Sequence, residues 1–211
     1  MDRRLIRGVR RNSLKKKLLP LSTSYSREEI KKELEQFGKT YIDGSEQSIR
    51  RPKNSVDQKE NYSGKKKCHT SKVLIGSNEN KAIKMITPVY VGSSHDYGMF
   101  KEEKIEELLP SKKPIYVDTG FEGIKTLCPD HDIRKPKKKS KGKKLNGGEK
   151  LGNQIISRER VKVEHAIGGF KRFKSASDCF RGINQSLDKV INIACGLWNL
   201  HCSFRSLQDY E

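Results

Sequence analysis

A short apolar run in the middle of the chain does most to limit the fold. The segment from Pro114 to Val117 is nearly all apolar, and Asp118 follows it directly. Apolar and polar residues do not alternate in this run, which is typical of a strand buried on both faces. A sheet covered on both faces needs helices on each side, so the run predicts an α/β fold.

The remaining patterns predict the elements around this strand. A capping box from Ser26 to Glu29 predicts a short amphipathic helix that ends at Gly38. Strands are predicted at 40–42, 70–75 and 82–91, the last two joined as a hairpin by the turn at 77–80. We predict helices at 97–109, from 119 to 127, from 153 onward and at 184–201, with one more strand near Ile133. The fold class is thus a mixed sheet flanked by helices.

The charge of the chain points to a polyanionic partner. Forty-five Lys and Arg face 26 Asp and Glu, which gives a net charge of +19, and 33% of residues are hydrophobic against 34% charged. We expect nucleic acid and not a membrane, because no apolar run of about 18 residues and no secretory signal pattern is present. The expected location is cytoplasmic, associated with the nucleoid.

Five widely spaced cysteines are predicted to be reduced thiols. Their number is odd, and the chain is too large to need disulfides for stability. Cys68 with His69, and Cys128 with His131, lack the paired spacing of a zinc finger, so we predict no zinc site.

Two acidic residues follow apolar strands and are expected to meet. Asp43 is predicted to end the first strand and Asp118 the fourth, and these strands lie side by side in a mixed sheet of this order. Two carboxylates at one place repel unless a cation lies between them. Glu164, on the long predicted helix, is the candidate for a third. Taken singly, each has an ordinary explanation, a turn for the aspartates and a solvated or Arg160-paired side chain for the glutamate.

Other side chains are candidates for contact with DNA or for support of the acidic residues. His95 and Asp96 are expected to cap a helix or to orient the metal ligands from outside, and Trp198 is expected in the core. The basic residues near the acids either meet phosphates or form a solvated charged face, and we favour phosphates. This predicted DNA-binding set is Lys65, Lys66, Lys67, Arg160, Lys162, Lys171, Arg172 and Lys174.

Several ordered motifs resemble the DDE transposases of the bacterial IS-five type and their Harbinger-like relatives. The resemblance runs from about Tyr41 to Phe204 and includes the stretches 42–46, 51–53, 62–67, 69–70, 95–96, 118–123, 163–173 and 195–199. It implies a ribonuclease-H-like fold in which Asp43, Asp118 and Glu164 are the catalytic residues and the metal ligands.

The resemblance also implies a reaction and partners. Two Mg²⁺ or Mn²⁺ ions are expected, since hard cations take oxygen ligands and paired ions suit phosphodiester displacement. The implied chemistry is hydrolysis at transposon ends, followed by strand transfer into target DNA. The implied partners are transposon-end and target DNA, with a homodimer assembled on them.

The start of the chain departs from this family pattern. We interpret residues 1–38 as a basic tail and short helix left from a DNA-binding region, and the chain as N-terminally truncated. Residues 39–206 are interpreted as the catalytic domain, with a lysine-rich loop at 135–150. The alternatives are a catalytically inactive or truncated DNA-binding protein derived from a transposase, and a resolving or repair nuclease of the same fold.

Overall fold

A computed structural model describes residues 26–139, 144–182 and 184–208, which form a mixed sheet flanked by helices. The helices are α1 (Arg27–Glu35), α2 (Ser55–Glu60), α3 (Asp96–Glu102), α4 (Ile124–Leu127), α5 (Gly147–Phe170) and α6 (Asn184–Gln208). The strands are β1 (Thr40–Ser48), β2 (Tyr62–Ser63), β3 (Cys68–Asn78), β4 (Ile83–Ile86), β5 (Tyr90–Val91), β6 (Ile115–Tyr116) and β7 (Ile133–Arg134). Short 3₁₀ helices lie at Ile105–Leu108 and Lys174–Ala176. The predicted fold class is confirmed.

The strand β1 lies at the centre of the sheet. The order is β2-β3-β1-β6-β7, and both β4 and β5 pair with β3. β1 runs antiparallel to β3 and parallel to β6, with Thr40 opposite Ile115 and Tyr41 opposite Tyr116. The predicted adjacency of the first strand and the strand before Asp118 is therefore confirmed.

The sequence placed the end of β1 too early. β1 continues through Asp43 to Ser48, and Asp43 is paired with Ile75 of β3. Polar residues in this half of β1 do not mark a loop, because a long antiparallel pairing with β3 satisfies their backbone. Asp43 thus lies within a strand, and the prediction that it ends one was wrong.

The hairpin prediction is confirmed, with a break in its second strand. β3 and β4 pair antiparallel around the turn at 79–82, and a register shift lies at Gly76 and Ser77. The predicted strand at 82–91 divides into β4 and β5 around Pro88, which has no N–H for a ladder. The predicted helix at 97–109 is also divided, since Lys104 adopts a left-handed φ of 48° before the 3₁₀ helix.

Helices cover both faces of the sheet. One face packs Ile42 and Leu74 against α1 and α3, through Leu34 and Phe100. The other packs Val73, Ile75 and Ile86 against α5 and α6, a cluster in which Trp198 is 6% exposed, as predicted for a core residue. Side chains alternate between these faces along β1, so neighbouring residues of this strand meet different helices.

The short helix of the segment predicted as an N-terminal remnant packs into the same core, while residues 1–25 of that segment lie outside the described residues. Ser26 and Glu29 form the predicted capping box, and Ile30 and Leu34 of α1 lie in the core beside Met85 and Met99. The proposed domain boundary at residue 38 stays a prediction. Within the described residues, no helix is long and apolar enough to cross a membrane.

The long helix α5 begins earlier than predicted. Asn146 and Glu149 form a capping box, so the helix starts at Gly147 and not near Asn153. It continues through Gly168 and Gly169, which do not break it. Residues 140–143 of the predicted lysine-rich loop lie outside the described residues.

All five cysteines are free thiols, as predicted. Cys195 is fully buried in the core, and burial raises the pKa of its thiol. In the described segments, no group of three or more His, Cys, Asp or Glu side chains is arranged to hold a metal ion.

Candidate active site

Asp43 and Asp118 are brought together by the parallel pairing of β1 and β6. Tyr41 of β1 is paired with Tyr116 of β6. Asp43 follows Tyr41 by two residues and Asp118 follows Tyr116 by two residues, so both acids lie at the same edge of the sheet. Arg160 of α5 joins them: its Nη2 lies 3.1 Å from Oδ2 of Asp43, and its Nη1 lies 3.0 Å from Oδ1 of Asp118. The guanidinium is a cation shared by two carboxylates from different elements.

The pKa of Asp43 is raised from its ordinary value. Burial raises the pKa of Asp43, while Arg160 and the N–H of Gly44 lower it, and the nearby carboxylates of Asp118 and Asp96 raise it further. The net shift is upward, so the partners present in this structure do not fully offset the cost of ionising the group. A more highly charged cation would offset more of that cost.

Glu164, the predicted third carboxylate, does not join this pair in the structure. It is exposed on α5, one helical turn after Arg160. Residues four apart lie on neighbouring parts of one helix face, so Arg160 and Glu164 border the same region. Arg160 contacts both aspartates and neutralises them, and among the described residues no group of three or more acidic, His or Cys side chains is arranged to hold a metal ion. The close convergence of three acids expected from the sequence is therefore not observed.

A second ionic cluster lies beside the aspartates and ties α5 to the sheet. Tyr41 donates a hydrogen bond to Oε2 of Glu159 at 2.7 Å, and Nζ of Lys162 and Lys39 lie 2.9 and 3.1 Å from the same oxygen. The hydrogen bond from Tyr41 is the largest cause that lowers the pKa of Glu159, to about 2. The rings of Tyr41 and Tyr116 stack with their centroids 5.1 Å apart. This cluster holds α5 in place against the two strands that carry the aspartates.

Asp96 lies near Asp43 and Asp118, on the face of the sheet opposite to α5. Its Oδ1 lies 2.8 Å from Nζ of Lys72, a β3 residue. His95 is the N-cap of α3 and makes no side-chain capping bond, and its side chain is exposed. Asp96 is the first residue within the helix and not its N-cap, so the capping explanation of Asp96 was wrong. For His95 the exposed position is one of the two surroundings expected for this side chain.

Comparison with known proteins assigns the chain to a family. Residues 42–199 match the model of the DDE superfamily endonuclease family, a span that contains Asp43, Asp118 and Glu164. The chain belongs to the DDE superfamily endonucleases. The predicted family resemblance is confirmed.

One curated relative agrees with the family match. Over 168 residues the chain is 30% identical to a probable transposase for insertion sequence element IS702 from Microchaete diplosiphon. The match covers 78% of this chain and 58% of that relative, so the chain spans little more than half of its length. A solved structure of the piggyBac transposase synaptic complex with hairpin DNA is similar at a TM-score of 0.45 and 13% identity, over 82% of this chain and 48% of that one.

The predicted DNA-binding residues of this DDE endonuclease family member fall into two groups. Arg160 and Lys162 are engaged with acidic partners inside the fold. The other group lies toward the surface: Lys65, Lys66 and Lys67 are exposed before β3, Arg172 lies over the Trp198 ring at 5.8 Å, and Lys174 is 84% exposed. The prediction thus combined residues with different surroundings.

Lys171 lies between the exposed basic residues and the sheet. Its Nζ donates a hydrogen bond to the backbone oxygen of Glu46 at 2.7 Å. Burial lowers the pKa of Lys171, and the charge of Lys66 lowers it further. Lys171, bonded to Glu46 of β1, and Lys66, just before β3, therefore form a local region of positive potential. This region lies at the end of β1, the strand that also carries Asp43.

Two residues that shape this site, Arg160 and Glu159, have roles that the sequence did not predict. Arg160 was assigned to DNA, although its position one turn before Glu164 put it on the same helix face. Glu159 was not singled out, because a glutamate beside lysines on a helix is an ordinary surface pattern. No sequence signal pairs Tyr41 with Glu159, since 118 residues separate them.

Proposed function

We propose that this chain is a DNA transposase catalytic domain that performs metal-dependent phosphodiester hydrolysis at transposon ends and strand transfer into target DNA. The observation that carries the proposal is the pairing of Asp43 with Asp118 around a shared cation, inside the span that matches the family. The IS702 relative, described as a probable transposase, supports the same conclusion.

The donor set fits a divalent metal ion. Arg160 already occupies a cation position between oxygens of Asp43 and Asp118, and carboxylate oxygens are the donors that Mg²⁺ and Mn²⁺ prefer. Asp43 and Asp118, with Glu164 as third ligand, would hold two such ions, which supply charge stabilisation for the attacking and leaving oxygens. Each ion would take over the neutralising role of Arg160.

The chain's own residues would then position DNA. Release of Arg160 from the aspartates frees a planar guanidinium that suits a phosphate oxygen pair. Lys171 and Lys66 lie at the end of β1 and would hold the backbone of the same strand of DNA, with Lys65, Lys67, Arg172 and Lys174 around them. A DNA-assembled homodimer would bring two ends together, and a cytoplasmic location beside the nucleoid would give access to them.

A metal-dependent nicking assay on supercoiled plasmid tests the catalytic part of the proposal. Asp43→Ala and Asp118→Ala are expected to remove nicking in Mn²⁺, and Glu164→Gln to lower it at least tenfold. Asp130→Ala is the matched control, since Asp130 is an exposed acid away from the site. Nicking that is the same in the wild type and in Asp118→Ala would overturn the catalytic assignment.

The alternative is a catalytically inactive, transposase-derived DNA-binding protein. The closed Arg160 bridge and the exposed position of Glu164 are the observations that favour it. It predicts DNA binding with no metal-dependent nicking in the wild-type chain, so the same assay separates the two proposals.

A further inference from the structure

The carboxylate of Asp96 lies in a space that Gly44 leaves open. A Cβ atom built on Gly44 would lie 2.7 Å from Oδ1 of Asp96, and one built on Gly120 would lie 3.6 Å from its Oδ2. Gly44 directly follows Asp43, and Gly120 follows Asp118 by two residues. Asp96 therefore lies directly against the segment that carries Asp43 and near the segment that carries Asp118.

The two faces of β1 explain how Asp96 reaches this position. Tyr41 and Asp43 contact α5 on one face, through Glu159 and Arg160. Ile42 packs with the α3 residues of the other face, and Gly44 is the next residue of β1 on that side. Without a side chain at Gly44, the first turn of α3 approaches β1 closely enough for Asp96 to lie behind Asp43.

Lys72 fixes the orientation of this carboxylate. Nζ of Lys72 lies 2.8 Å from Oδ1 of Asp96 and donates a hydrogen bond to the backbone oxygen of Ser94 at 3.1 Å. The side chains of Lys72 and Asp96 are 14% and 20% exposed, so the pair is shielded from solvent. Three carboxylates, of Asp43, Asp96 and Asp118, are thus gathered around two cationic side chains, Lys72 and Arg160.

We infer that Asp96 is a positioning residue for the metal-binding aspartates. Packed against Gly44 and near Gly120, it sets the separation of the segments that carry Asp43 and Asp118, and its charge favours a divalent cation between them. Residues that orient metal ligands from outside typically contribute about 10- to 100-fold to metal affinity. This inference rests on the proposed function, because it assumes that Asp43 and Asp118 bind the metal ion.

Titration of the purified chain with Mn²⁺, by calorimetry and by electron paramagnetic resonance, tests this role without an activity assay. Asp96→Asn keeps the size of the side chain and is expected to raise the Kd for Mn²⁺ at least tenfold. Because Lys72 loses its charged partner, the melting temperature in chelator is expected to fall, and binding is therefore measured at a temperature where both proteins are fully folded. Asp130→Asn removes the same charge from an exposed position and is expected to leave the Kd within twofold.

A double-mutant comparison tests the contact itself. Gly44→Ala places a methyl group against Asp96 and is expected to weaken Mn²⁺ binding, while Asp96→Ala in the Gly44→Ala background removes the clash. The effects of the two substitutions are therefore expected to be non-additive, as for residues in direct contact. Additive effects, or a Kd unchanged by Asp96→Asn, would overturn the inference.

Two further variants separate this inference from the proposed function. If Asp43→Asn and Asp118→Asn do not change Mn²⁺ binding, the metal site itself is refuted, and the role of Asp96 falls with it. If those variants abolish binding while Asp96→Asn leaves the Kd unchanged, only the positioning role is refuted.

Discussion

Arg160 is the residue on which the charge balance of the site depends in the absence of metal. Its two terminal nitrogens contact both aspartates, its side chain is 12% exposed, and its Nε is buried without a hydrogen-bond partner in the described part of the chain. Removing one partner of a shielded ion pair leaves the opposite charge uncompensated, which is strongly destabilising.

The first prediction concerns Arg160→Gln. In chelator, the free energy of unfolding is expected to fall by about 1–3 kcal/mol, because Asp43 and Asp118 then face each other without a cation. In saturating Mn²⁺ the loss is expected to become smaller, since ligand binding to the folded state restores the compensation. Urea denaturation of both proteins, with and without Mn²⁺, measures this.

The matched control for that experiment is Arg158→Gln, a change at an exposed residue of the same helix. The difference between its free energy of unfolding and that of the wild type is expected to be the same with and without the metal. An equal loss for Arg160→Gln in both conditions would contradict the view that Arg160 and the metal occupy the same place.

At the scale of elements, the contact between α5 and α6 depends on a single glycine. A Cβ atom on Gly169 would lie 2.4 Å from Cδ2 of Trp198, whereas one on Gly168 would meet nothing within 4 Å. Trp198 cannot easily retreat, because its Nε1 donates a hydrogen bond to the backbone oxygen of Lys81 at 2.8 Å. The two adjacent glycines therefore have opposite roles in one helix.

The second prediction follows from this difference. Gly169→Ala is expected to lower the free energy of unfolding by about 1–3 kcal/mol through overpacking. Gly168→Ala is expected to raise it by about 0.5–1 kcal/mol, because alanine is the better helix former. Thermal denaturation of both variants measures the effect, and a stabilised Gly169→Ala would show that α5 and α6 are not packed as described.

The third prediction concerns the pH dependence of the link between α5 and β1. The pKa of Glu159 in the folded protein is about 2, below its ordinary value of 4.5. A carboxyl group with a lowered folded-state pKa stabilises the fold fully above pH 4.5 and loses this contribution as the pH falls toward 2. Glu159→Gln is therefore expected to be less stable than the wild type at neutral pH, with a difference that narrows in acid.

Denaturation curves recorded from neutral pH to about pH 3 measure this narrowing. Glu35→Gln, at an exposed residue of α1, serves as the control and is expected to show a smaller difference at neutral pH. A stability difference for Glu159→Gln that stays constant over this range would show that its bonds to Tyr41, Lys39 and Lys162 do not depend on the charge.

At the scale of the whole molecule, the excess of positive charge predicts the salt dependence of DNA binding. The net charge is +19, and the surface group of basic residues is exposed around the end of β1. If about six to ten basic residues, this surface group among them, neutralise phosphates, affinity should fall by about 10³- to 10⁵-fold between 50 and 200 mM salt. Fluorescence anisotropy with a labelled duplex measures the slope.

Substitution of Lys174 tests this fourth prediction at one residue. Lys174→Gln removes one exposed charge and should reduce the slope of log affinity against log salt concentration by about one. Lys84→Gln is the control, because Lys84 lies on the side of the molecule that carries α1, where it contacts Glu33. Lys174 also has an acidic neighbour, Asp178 at 3.7 Å, so the two variants differ in position and not in pairing. A flat salt response of the wild type would contradict a phosphate-binding surface.

The sequence by itself determined the α/β class, the adjacency of the strands before Asp118 and around Asp43, and the family. These follow from local signals: an apolar run, a turn between two strands, capping boxes and ordered motifs. Each signal involves only a few neighbouring residues, so it can be recognised in the sequence without knowledge of the tertiary structure.

Only the tertiary structure decided which charges meet. Arg160, and not Glu164, lies between the aspartates, Glu159 is bonded to Tyr41, and Asp96 lies against Gly44 from the other face of the sheet. The partners in these contacts are far apart in the chain, and each depends on which face of β1 a residue occupies and how closely a helix can approach it. Electrostatic compensation and steric fit are properties of the assembled layers, and no local pattern in the sequence encodes them.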